Sequence, residues 1–195
     1  MKPVLIIMAK APIMGRAKTR LARDIGPVHA KRLYRAMMGR VIRHTADPRW
    51  DTILAVTPSA AMGKVPEWRD QKQIPQVSGS LSPRLAAVFS RSGPTLCIGT
   101  DCPDVNARDI ASAFKAIGRG RHVLGPADDG GFWLIGTQGP ARRDLFDNVR
   151  WSDAKTLADM EAKFEGRVTK LRTLIDVDDL KALRARRQSL RGQVA

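Results

Sequence analysis

The chain has 195 residues, 43% of them hydrophobic, which suits one domain, residues 1–195, with a sizeable core. Its 34 basic and 19 acidic residues give a formal charge of +15, so an anionic substrate or partner is expected. Aromatic residues make up only 5%, a poor supply for stacking single-stranded nucleic acid, and no apolar run is long enough to span a bilayer.

Val4 to Ala9 is a short apolar run rich in branched residues, which predicts a buried first strand of a parallel sheet. It is too short for a signal-peptide core. Lys10 and Pro12 end it, and a loop with Gly15, Arg16, Lys18 and Arg20 follows. Ligands of open α/β sheets bind at such strand ends. Gly15 permits close backbone approach, Lys18 supplies a point charge, and Arg16 and Arg20 supply planar forks, so the loop suits an anion carrying several phosphates. It is not a P-loop, because Ala17 stands where a glycine is needed, and one glycine does not make a dinucleotide fingerprint.

Pro27 to Ala46 has apolar residues at three- and four-residue spacing and predicts a helix. Asp51 to Thr57 predicts a second strand, Ser59 to Gln73 an irregular cover, and Ile74 to Val77 a short strand. A helix is expected to open near Pro83. Pro94 to Gly99 reads as another buried strand, with a helix capped by Asn106 after it. Cys97 and Cys102 are too few for a disulfide framework and lack metal-site spacing, so both read as reduced thiols of a cytoplasmic protein. Strands are expected over 122–125 and 132–136, helices over 141–147 and 153–164, a last strand over 168–175, and a final helix after Asp179. This alternation predicts an α/β fold with a mainly parallel sheet.

Acidic clusters follow three of the strands. Asp101 sits where a carboxylate can hold a hard cation such as Mg²⁺ or Mn²⁺ through oxygen, and Asp104 reads equally as a ligand or a cap. Asp128 and Asp129, before Gly130 and Gly131, can bind an acceptor hydroxyl or amine or act as general base; an Asp-Gly turn is the plainer reading. Asp176 and Asp178 can complete a cation site beside Asp101 or serve as N-terminal charge for the last helix. His29, His44 and His122 share no spacing with these clusters, and no histidine lies near Cys102, so a thiol nucleophile has no support.

Taken in order, three segments resemble a known family: Ala9-Lys10-Ala11-Pro12 with Gly15 and Lys18-Thr19-Arg20-Leu21; Ile98-Gly99-Thr100-Asp101-Cys102-Pro103-Asp104; and Gly125 through Gly136. Trp151-Ser152 and Asp176-Val177-Asp178 complete the likeness. The family is the small bacterial glycosyltransferase-A-like group of the arsenosugar-biosynthesis glycosyltransferase type, similar in turn to 2-phospho-L-lactate guanylyltransferases. The resemblance implies the nucleotide-diphospho-sugar transferase fold, which is Rossmann-like, and a nucleotide over the first strand and loop. Lys18 and Arg20 would lie near its phosphates, with Lys10, Gly15 and Arg16 beside them. Asp101 would bind Mg²⁺ or Mn²⁺ with Asp178 as second ligand, and Asp128, Asp129, Gly130 and Gly131 would face the acceptor or sugar. Two segments depart from the family: Gly79-Ser80-Leu81-Ser82 replaces the usual Gly-Asp-Leu-Gly, and the Asp176–Leu180 motif is contracted.

The expectation is a metal-dependent transferase using a nucleotide-diphospho-sugar and a small-molecule acceptor. Its alternative is a nucleotidyltransferase that moves NMP from an NTP to a phosphorylated acceptor. A third reading, from another class, is a non-catalytic protein that binds anions or nucleic acid, although nucleic acid is not the expected partner. Sequence does not set the oligomeric state.

Overall fold

Val4–Lys10 forms β1, the strand about which the sheet is built; the computed structural model describes residues 1–192 of the chain. β1 lies between β2 (Asp51–Thr57) and β4 (Thr95–Ile98) and runs parallel to both. With β3 (Lys72–Pro75), β5 (His122–Pro126), β6 (Phe132–Thr137) and β7 (Val168–Lys170), the order across the sheet is β3-β2-β1-β4-β6-β5-β7. Only β6 is antiparallel to its neighbours, so the expected mainly parallel α/β sheet is present. The strand order reverses direction between β1 and β4, and such a switch point opens a crevice at the carboxyl ends of the strands.

Both faces of the sheet are covered, which is why β1 is an unbroken apolar run rather than an alternating one. Leu5, Ile7 and Ala9 face one layer, where Tyr34, Met38 and Val41 of α2 (Pro27–Thr45) pack with Ile110 and Ile117 of α4 (Ala107–Ile117). Ile6 faces the other, with Leu85 and Val88 of α3 (Leu81–Val88) and Met160 of α5 (Thr156–Lys163). Each of these large side chains contributes about 1.5–3 kcal/mol by leaving water. A third cluster joins Leu21 of α1 (Thr19–Ile25), Ala30 and Met37 of α2, Val177, and Leu183 of α6 (Leu180–Gly192). By docking α1 against α6 it brings the cationic loop to the last acidic segment. Asn106 caps α4 as expected, in a capping box with Asp109.

Five local expectations need correction. α1 stands where the sequence reading saw only loop; Leu21, Ala22 and Ile25 form its inner face and Gly26 ends it. Residues 141–147 form turns, not a helix: their apolar pair, Leu145 and Phe146, is adjacent rather than spaced by three or four, and Phe146 packs on Phe89. The strand expected over 168–175 stops at Lys170, since it pairs only with β5, and resumes as a single bridge at Leu174. β3 runs two residues earlier than expected, and α5 begins at Thr156 because the Asp153 carboxylate and carbonyl hold the preceding turn.

Candidate functional site

Three chain segments meet at the crevice: the loop from β1 to α1, the loop from β4 to α4, and the residues leading into α6. Lys18 ends the first in a left-handed conformation, φ 52°, and its side chain is only 4% exposed. Its ammonium lies 2.7 Å from Asp101 Oδ1 and 2.5 Å from Asp178 Oδ1. Arg20 Nη2 donates to Asp178 Oδ2 at 2.9 Å. Asp101, Asp176 and Asp178 each place a carboxylate oxygen within 4.8 Å of the others. Asp176 Oδ1 is buried there without a hydrogen-bond partner.

The charges in this cluster hold one another away from their ordinary states. Burial alone would lower the Lys18 pKa, but the carboxylates of Asp101 and Asp178 outweigh it and hold that pKa above the usual lysine value. Burial, and then the Asp101 charge, push Asp176 up to about 7 against the opposing pull of Lys18. Since this folded-state value is raised above that of an unfolded aspartate, the stabilising contribution is full at low pH and is lost as pH rises through 7. In chelator-treated protein, Asp176→Asn is therefore expected to flatten the fall in melting temperature between pH 5 and 8. A wild-type and variant profile with equal slopes would contradict that.

The loop carrying Asp101 is held from outside by three arginines. Arg40 Nε donates to the Pro103 carbonyl at 2.9 Å, and Arg172 Nη2 to the Asp104 carbonyl at 2.8 Å. Arg186 of α6 makes two bonds of 2.7 Å to the Asp104 carboxylate. Asp104 is thus neither cap nor cation ligand; its ion pair fixes α6 to the loop.

A cavity of about 460 Å³ opens beside the cluster, and Lys10, Arg16, Lys18, Arg20, Asp101 and Asp178 all line it. Gly15 lies in the same loop with φ +74° and open space around it. Asp128, Asp129, Gly130 and Gly131 do not line this cavity. Asp128 Oδ1 accepts a bond from the Asp176 backbone N–H at 2.9 Å, so it positions a member of the cluster. Asp129 and Gly130 lie in the tight connection between antiparallel β5 and β6, where Asp129 Oδ1 accepts from the Gly131 N–H at 2.9 Å in an Asx turn, yet the Asp129 charge reaches Asp176. Gly130, at φ +87°, passes so close to the turn that leads into α5 that a Cβ there would lie 2.2 Å from the Ala154 carbonyl oxygen. Gly130→Ala is expected to cost about 3 kcal/mol or more in urea unfolding, from overpacking and left-handed strain together. A loss below 1 kcal/mol would show that the loop can move aside.

Sequence reasoning did not select Tyr34, Gln76 or Arg84, which also line the cavity. Tyr34 reads as core in the helical pattern, but its hydroxyl donates to the Lys10 carbonyl at 2.9 Å and so holds the end of β1. Cys97 and Cys102 are free and buried; burial pushes the Cys97 thiol up to about 12 and Cys102 well above its usual value, so neither is a ready nucleophile.

Residues 41–153, more than half of the chain, match the model of DUF2064, a family of uncharacterized proteins conserved in bacteria. The chain belongs to that family. The DUF2064 match covers the Asp101 loop and Asp128 to Gly131, while the cationic loop and Asp178 lie outside it. No curated protein matches the chain. Its fold is similar to a solved structure described as a nucleotide-diphospho-sugar transferase, from Desulfovibrio desulfuricans G20: TM-score 0.83, 24% identity, 93% of this chain and 84% of the other. It is also similar to a nucleotidyl transferase from Methanothermobacter thermautotrophicus, with TM-score 0.62, 15% identity, and 98% and 100% of the two chains covered. A third likeness is to Rv0371c of Mycobacterium tuberculosis H37Rv in complex with manganese, with TM-score 0.55, 16% identity, and 95% and 97% covered. These likenesses make the DUF2064 chain a member of the nucleotide-diphospho-sugar transferase fold. Among the described residues, no helix is long and apolar enough to cross a membrane.

Proposed function

We propose that this protein is a divalent-cation-dependent transferase acting on a nucleotide-activated donor, with a nucleotide-diphospho-sugar as donor and a small molecule as acceptor. The observation that carries the reading is the meeting, at the sheet's switch point, of the Asp101–Asp176–Asp178 cluster with a cationic loop over one cavity. The three carboxylates form a hard oxygen donor set, and the unpartnered Asp176 Oδ1 is an acceptor without a donor, so the residues fit Mg²⁺ or Mn²⁺. Asp101 and Asp178 would hold the ion with Asp176, and the ion would supply positive charge to the leaving diphosphate.

The chain's own residues do the rest. Arg16, Lys10 and Arg20, which line the same cavity, present donors to the phosphates. With a cation held by those carboxylates, Lys18 would be free to carry its charge to the same phosphates. Asp128 keeps Asp176 in register through the Asp176 backbone N–H, and Asp129, outside the cavity lining, acts on the site through its charge at Asp176.

The likeness to the Methanothermobacter nucleotidyl transferase supports a second reading, in which an acceptor phosphate attacks the α-phosphorus of an NTP and pyrophosphate leaves. Product analysis separates the two. With Mn²⁺ and a panel of donors, glycosyl transfer releases nucleoside diphosphate and nucleotidyl transfer releases pyrophosphate. Release of neither, together with nucleic-acid binding that is steeply salt dependent and indifferent to Mn²⁺, would favour a binding protein without catalysis.

A further inference from the structure

Part of the cavity lining has a different chemistry. Met8, Leu81, Leu85 and Phe132, which share one apolar layer, line it together with two polar side chains: Gln76, just past β3, and Arg84, on α3. The Gln76 amide nitrogen donates to the Ala55 carbonyl at 2.7 Å and reaches toward the Ala9 carbonyl at 3.4 Å. Those two backbone acceptors fix which way the amide points, so its oxygen is the end presented toward Arg84. Arg84 Nη1 meets that oxygen only at 3.4 Å, beyond the usual hydrogen-bond range. Arg84 Nε is buried with no partner at all, and no carboxylate pairs with this guanidinium among the described residues. A half-buried donor-only fork left this poorly satisfied, beside apolar side chains in a cavity lining, suits an acceptor brought by a ligand.

We propose that Arg84, oriented by Gln76, is the base-selecting residue of this site and admits bases that carry a ring carbonyl oxygen (guanine, cytosine or uracil) in preference to adenine. The inference rests on the nucleotide-dependent reading above. A carbonyl oxygen has two lone pairs for the fork, and guanine and cytosine add a ring nitrogen acceptor beside it. Adenine has no oxygen, and its exocyclic amine would set a donor against a donor. The phosphate end is supplied separately by the β1–α1 loop, so selection and phosphate binding reside on different elements.

The test is binding of GTP, CTP, UTP and ATP with Mn²⁺, by calorimetry, to wild type, Arg84→Met and Arg84→Lys, with inorganic tripolyphosphate as a probe of the phosphate end alone. At least one oxygen-bearing nucleotide is expected to bind wild type about tenfold more tightly than ATP, within the range of a bidentate base contact. Arg84→Met and Arg84→Lys should both bring that ratio to about twofold or less, because lysine keeps the charge and loses the fork. Tripolyphosphate affinity should be unchanged in Arg84→Lys, whose melting temperature reports its folding. ATP binding as tightly as the best of the others would overturn the assignment while leaving the transferase reading intact. So would an equal loss of every nucleotide and of tripolyphosphate in the lysine variant, which would make Arg84 a phosphate ligand. Failure of wild type to bind any nucleotide would overturn the transferase reading and this one with it.

Discussion

Asp101→Ala is expected to abolish the cation dependence of nucleotide binding and to lower kcat/KM by about 10³-fold, the scale of a lost Lewis-acid contribution of several kcal/mol. The reason is positional. Asp101 follows β4 directly, at the strand end where the sheet reverses direction, and Arg40, Arg172 and Arg186 hold its loop from behind. The loss should fall on kcat more than on KM for the acceptor, since the charge acts on the leaving diphosphate. Steady-state kinetics with added Mn²⁺ checks it, and a variant that keeps a normal Mn²⁺ response would remove Asp101 from the site.

Lys18→Met has the second large effect, and its sign depends on the cation. The Lys18 ammonium bridges the Asp101 and Asp178 carboxylates of the cluster, and it is almost fully buried. Removing it leaves those carboxylates facing one another with only Arg20 alongside. In chelator at pH 8 the variant is expected to lose about 2 kcal/mol of stability, less than a fully buried pair would cost because Asp101 and Asp178 are over a third exposed. Mn²⁺ should restore much of this, and should raise the melting temperature of the variant more than that of wild type, because the ion no longer competes with an ammonium. Nucleotide affinity should remain low, since the phosphates have lost their point charge. Equal stabilisation of both proteins by Mn²⁺ would contradict the exchange of ammonium for cation.

The central strands were legible because they are buried on both faces and bounded by proline, glycine or an acidic cluster, and Asp51–Thr57 is found at the residues expected; the half-exposed edge strands β3 and β7 carry no such apolar run, and their bounds shifted. The apolar face of α2 was equally plain. α1 was not, because its seven residues are mostly charged or polar and its packing against α2 and α6 makes it a helix. Residues 141–147 misled in the opposite sense, since helix-compatible composition carried no helical spacing. At the site, the cationic loop and Asp101 could be read from residue type and strand position. What could not be read is that Lys18 reaches Asp178 across 160 residues of sequence, or that Asp128 spends its carboxylate on the backbone of Asp176. Both depend on how α6 docks, and no local pattern encodes that. Arg84 was invisible for a related reason: its significance lies in the partner it lacks.

The most direct test of the central claim is thermal stabilisation of wild type and Asp101→Ala by nucleoside triphosphates and nucleotide sugars, with Mn²⁺ and with chelator. A ligand at a hundred times its dissociation constant adds about 2.7 kcal/mol, a shift that a melting curve resolves. The expected result is stabilisation of wild type by at least one nucleotide ligand with Mn²⁺, absent with chelator and absent in Asp101→Ala. Stabilisation of both proteins to the same extent, or of neither by any ligand, would contradict a cation-dependent nucleotide site at this crevice.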